Sequence, residues 1–115
     1  MRTFYITVPI DSTAVIALDL NQATNEQLIE LHLNEKEFKK VWDSGLFKSI
    51  NSLTGSFIEI SEDDKVDDMI ILDKVINSGI FNNANYNVEI QPIISKIKDL
   101  FIEARNRRTG IFFYF

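Results

Sequence analysis

Residues 111–115, Ile-Phe-Phe-Tyr-Phe, are apolar on both alternating faces of an extended chain. A strand with one wet face alternates between apolar and polar side chains, so this run predicts a strand inside a sheet with helices covering it. A chain organised around such a strand belongs to the α/β class in the broad sense, as an α+β domain. Its 115 residues suffice for one domain, residues 1–115, with one core. Apolar residues make up 45% and charged residues 25%, and nine are Phe, which excludes a disordered or fibrous chain.

Further patterns place the other elements. Phe4, Ile6 and Val8 alternate with Tyr5 and Thr7 as a strand does. Asp11-Ser12-Thr13 separates them from Ala14 to Leu18, and a hairpin is expected there. Residues 25–33 carry two signals. Ile29, Leu31 and Leu33 alternate with Glu30 and His32, yet Thr24 to Gln27 forms a capping box, and on balance the segment reads as helix. Asn34 with Glu37 opens a second helix, striped by Phe38, Val41 and Trp42 and stopped at Ser44-Gly45.

Phe57-Ile58-Glu59-Ile60 reads as a strand running into an acidic segment, after which Asp67-Asp68 open a helix over about 68–78. The pattern Lys-Val-x-x-Ser-Gly-x-Phe occurs at residues 40–47 and again at 74–81. Two copies with a strand between them build no solenoid, so the echo is assigned to two helices sharing one kind of stop. Residues 82–87, rich in Asn, form an exposed connection. Pro92 suits the start of a last helix, along which Ile93, Ile97, Leu100, Phe101 and Ala104 line one side. The expected architecture is a three- to five-stranded mixed or antiparallel sheet packed with three to four helices.

Charge is distributed less evenly than apolarity. Residues 59–68 hold six acids, Glu59, Glu62, Asp63, Asp64, Asp67 and Asp68, against Lys65 alone. That segment carries the entire net charge of −5, while the other residues balance at eleven of each sign. Such a patch repels phosphate backbones and speeds encounter with a basic partner, so no nucleic-acid ligand is expected. The plainer alternative is a solvated loop. Lys96, Lys98, Arg105, Arg107 and Arg108 make a mildly basic end that the dipole of the last helix accounts for.

Several chemistries are excluded by residue types. Without Cys there is no disulfide framework, thiolate metal site or thiol nucleophile, and a reducing compartment, the cytoplasm, is the expected location. No apolar run is long enough to span a bilayer, and Arg2 to Ile10 reads as mature protein rather than a signal peptide. Phosphate-binding glycine motifs are absent, so no nucleotide cofactor is expected. His32 is the one histidine; a catalytic triad would rest on it alone, and a catalytic role is not expected. Glu62, Asp63, Asp64, Asp67 and Asp68 offer hard oxygen ligands, but their spacing is not that of an EF-hand and Lys65 interrupts them, so no metal site is assigned. Glu59 and Glu62 as a glycosidase pair would need a cleft that a sequence does not display. Trp42, in its stripe with Phe38 and Val41, reads as core.

The run Phe38-Lys39-Lys40-Val41-Trp42-Asp43-Ser44-Gly45-Leu46-Phe47, then Ile50-Asn51, then Gly55 to Val66 resembles small acidic immunity proteins of bacterial contact-dependent inhibition and related polymorphic toxin systems. The resemblance covers residues 38–66. It implies a non-enzymatic cytoplasmic protein of bacteria that covers the active site of a cognate toxin's C-terminal domain, frequently a basic nuclease. By the same analogy Glu59, Glu62, Asp63, Asp64, Asp67 and Asp68 would be its contacts. Carboxylates that compete for the cationic groups of a nuclease give this analogy a physical basis. A monomer or weak homodimer is expected. The rival reading is a structural or adaptor subunit that associates through apolar surface, and a small enzyme using His32 stays open as a third.

Overall fold

A computed structural model describes residues 2–115. Its centre is one antiparallel sheet of four strands, β1 (Phe4–Pro9), β2 (Leu28–Leu33), β3 (Asp63–Val66) and β4 (Ile111–Tyr114), in the order β2-β1-β4-β3. As the doubly apolar run requires, β4 is an interior strand, hydrogen-bonded to β1 on one side and β3 on the other. Its Ile111, Phe113 and the adjoining Phe115 are buried in the main core. The α+β class and the four-stranded antiparallel sheet agree with expectation.

Five α-helices accompany the sheet, one more than the highest number expected: α1 (Ser12–Asp19), α2 (Glu35–Asp43), α3 (Leu46–Thr54), α4 (Met69–Ile76) and α5 (Gln91–Arg107). The last of these carries the expected stripe, with Ile97, Leu100, Phe101 and Ala104 all buried. In α2, Asn34 accepts from the Glu37 N–H and Glu37 reaches back to the Asn34 N–H, which completes the capping box. Phe38 lies flat on Phe4 of the sheet with ring centroids 3.8 Å apart. Trp42 is half-buried and stacks on Phe38.

The two Ser-Gly stops are alike. Ser44 and Ser78 each donate a hydroxyl to the carbonyl three residues earlier, and Gly45 and Gly79 take nearly equal left-handed φ angles of 85° and 83°. Beyond the stops the two paths differ: α3 starts at once after Gly45, whereas the chain after Gly79 enters the exposed Asn-rich connection. Tyr86 ties that connection down by donating its hydroxyl to the Ile80 carbonyl.

Three expectations are corrected. Ala14 to Leu18 is not a hairpin strand but lies in α1, because the Asp11 carboxylate accepts from the Ala14 N–H at 2.8 Å and caps a helix. Residues 28–33 are strand β2, not helix. The Thr24 to Gln27 box exists, with Gln27 Oε1 accepting from the Thr24 N–H, but it opens a single 3-10 turn, Asn25–Gln27. Beyond it the alternation prevails, because pairing with β1 over six positions buries Leu33 and half-buries Ile29 and Leu31.

Phe57 to Ile60 is not a strand either. Asn51 on α3 takes the place of a strand partner: its side chain accepts from the Ile58 N–H at 2.8 Å and donates to the Ile58 carbonyl at 3.2 Å. The chain then turns at Ser61, whose φ is +69°, and pairs only from Asp63 onward. An edge strand this short and charged resists pairing with other chains.

Candidate functional site

The six acids of the net-charge segment do not share one surface. Asp64 points to the inner side of β3, where it accepts from the Phe57 N–H at 2.8 Å and from the Lys65 N–H at 2.7 Å. Asp68 caps α4 by accepting from the Ile70 and Ile71 N–H groups. Both carboxylates serve the backbone. Asp67 faces Lys65 at 3.4 Å and is packed so closely on Gly110 that a Cβ there would meet Asp67 Cβ at 2.9 Å. Of the six, only Glu59, Glu62 and Asp63 are exposed with neither an ion pair nor a side-chain hydrogen bond to the backbone among the described residues. Beside them in the chain stand the exposed Phe57, Ile60 and Ile70, at 75%, 46% and 81% of full exposure. Among the described residues no cluster of three acids or histidines could hold a metal ion.

Glu59 also lines a concavity of about 540 Å³, together with Trp42, Lys48 and Asn51. Here an aromatic edge, a cation and a carboxylate meet at the mouth between α2 and α3. Two of the five basic residues near the C-terminus are paired at home, Arg105 with Asp73 and Arg107 with Glu103, each at 2.7 Å.

A second constellation lies on the sheet face away from the main core. Residues facing each other across the strands form two rows. One is His32, Tyr5, Tyr114 and Asp63; the other is Glu30, Thr7, Phe112 and Lys65. The second row is the sheltered one, with Thr7 and Phe112 buried although Phe112 stands outside the main core cluster. Thr7 donates to Glu30 at 3.1 Å, and the Lys65 ammonium sits 5.8 Å from the Phe112 ring centre. The first row opens into a cleft of about 380 Å³ whose walls are Tyr5, Leu18, Asn21, Glu30, Asp63 and Tyr114. Leu18 in that wall places the end of α1 over this face.

Electrostatics follow from the same placement. Tyr114 has its phenol pushed up to about 12, first by burial and then by the negative charges of Asp63, Asp19 and Glu30. His32 packs edge-on against Tyr5 and comes within 3.6 Å of Glu30. Elsewhere, Lys40 at 2.8 Å from Glu89 holds that carboxyl below its ordinary value.

Of the residues in this cleft the charge segment supplies Asp63 alone. Tyr5, Glu30 and Tyr114 belong to no motif, since each lies on a different strand. The signal for them is alternation: the residues between Phe4, Ile6 and Val8, and between Ile29, Leu31 and Leu33, must face the other way.

Fold and surface together define a four-stranded antiparallel α+β protein with an acidic edge strand and an aromatic, acid-lined cleft on its second sheet face. Comparison with protein-family models, with curated proteins and with solved structures finds no match for the chain. Among the described residues no helix is long and apolar enough to cross a membrane.

Proposed function

We propose that the protein is an inhibitor without enzymatic activity, an immunity protein of the bacterial cytoplasm that binds the C-terminal domain of a cognate toxin and covers a cationic active site. The observation that carries this reading is the confinement of the whole net charge to residues 59–68, with Glu59, Glu62 and Asp63 exposed and unpaired. Flanking Phe57, Ile60 and Ile70 add the apolar contact that a steered encounter needs to become a lasting complex. A basic nuclease presents cationic groups where phosphates bind, and carboxylates on the turn that leads into the edge strand compete for them. Asp64 and Asp68 leave the proposed contact set, because each carboxylate is already held in place by backbone N–H donors.

The test replaces Glu59 and Glu62 by Lys together, which removes no hydrogen bond inside the protein. Binding is measured against the C-terminal domain of a toxin encoded in the neighbouring reading frame, at low and at moderate salt. The double variant should bind at least about tenfold more weakly, with a flatter salt dependence. Unchanged affinity and salt slope in a folded variant would leave the segment as a solvated surface and favour an adaptor that associates through apolar contacts.

A further inference from the structure

We infer that the cleft on the second sheet face, walled by Tyr5, Tyr114, Glu30 and Asp63, is an anchor for an arginine side chain of the protein partner. This deepens the inhibitor reading and rests on it for the nature of the partner. Charge and shape both point to that occupant. Two tyrosines stand side by side at the floor, on neighbouring positions of β1 and β4, and Tyr5 keeps 37% of its surface open to the solvent. Carboxylates stand on both flanks, Glu30 from β2 and Asp63 from β3. Asp19 ends α1 beside them, and that helix has no basic residue in its last turn to offset the negative end of its dipole.

No lysine or arginine lines the cleft; Lys65, the nearest in the sheet, belongs to the sheltered row and faces Phe112 and Asp67. The site is therefore concave, aromatic and negative, with no cation of its own. A guanidinium satisfies all three conditions, because its plane stacks on a phenol ring while its edge forks to a carboxylate. An ammonium supplies the charge without the plane. Asp63 is also the residue at which the acidic segment enters the sheet.

The probe is N-acetyl-arginine amide added to the whole protein, with the neutral isostere N-acetyl-citrulline amide as control, and the readout is the NMR shifts of His32, Tyr5, Asp63 and Tyr114. Saturable shifts confined to that row are expected, with a dissociation constant on the order of a millimolar. Citrulline amide should bind at least fivefold more weakly, and both Asp63→Asn and Tyr5→Leu should weaken arginine amide at least threefold in variants whose remaining spectra match the parent. Equal responses to arginine and citrulline, no response in this row, or indifference to both substitutions overturns the assignment. The toxin-binding test stands apart from this one: arginine capture by a protein that ignores the toxin domain removes the inhibitor reading alone, and toxin binding without arginine capture removes the anchor alone.

Discussion

The two faces of the sheet are made by alternate residues of the same four strands, yet they obey different physics. On the inner face Phe4, Ile6, Val8, Ile111 and Phe113 meet α2, α3, α4 and α5, and the rings of Phe38 and Phe115 each lie within about 6 Å of those of Phe4 and Phe47. Volume and shape decide what fits there. On the outer face a single eight-residue helix reaches over the strands, and the row from His32 to Asp63 stays exposed or half-buried. A protein that commits four helices to one face and one to the other leaves the thinly covered face available for recognition.

The largest expected effect separates the faces directly. Phe101 is fully buried on α5 and packs against Phe81 and Phe113. Phe101→Ala should cost about 3 to 5 kcal/mol, whereas Tyr5→Ala on the open row should cost under about 1 kcal/mol. Chemical denaturation of the two variants measures the contrast. Equal losses would mean that the outer row is packed as tightly as the core.

A smaller contrast lies between neighbours on β3. Asp64 turns inward and holds the Phe57 N–H, while its neighbour Asp63 turns outward into the cleft. Asp64→Ala should destabilise by about 1 kcal/mol through the lost hydrogen bond. Asp63→Ala should stay within about 0.5 kcal/mol of the parent. The same denaturation assay compares them, and a reversed order would place the wrong carboxylate in the cleft.

How much of this was legible in the sequence differs between the faces as well. The interior strand β4, the α2 capping box and the stripe of α5 could be read from residues 111–115, 34–37 and 93–104, because each is a local pattern whose period or cap is complete within one segment. The open row could not. It depends on the register of four strands far apart in the chain, and one of them, β2, sits behind a genuine capping box that argues for helix. The acid segment was conspicuous by count, but count does not say that Asp64 and Asp68 are taken up by backbone N–H groups. The Ile58 clamp by Asn51 was invisible for the same reason: a side chain seven residues away replaces a strand.

The smallest effect, and the most local probe of the outer face, is the ionisation of Tyr114. A tyrosine in the unfolded chain titrates near 10, whereas in the folded protein Tyr114 is pushed up to about 12, by burial first and by Asp63 second. Between those values the folded state keeps a proton that the unfolded chain has lost. Its contribution to stability is therefore fully present below about pH 10 and is lost as pH rises through about 12. The effect is modest because the ring is partly in contact with solvent, which screens the charges around it. The ring shifts of Tyr114 tracked through alkaline pH give the value. In Asp63→Asn the phenol should titrate lower than in the parent and still above 10, because burial remains when the carboxylate is gone. An unchanged value would take Asp63 out of reach of Tyr114 and break the row of four across the sheet. A fall to the ordinary value would make the carboxylate, not burial, the source of the shift, and the cleft would then be wetter than its walls of Leu18 and Tyr5 imply.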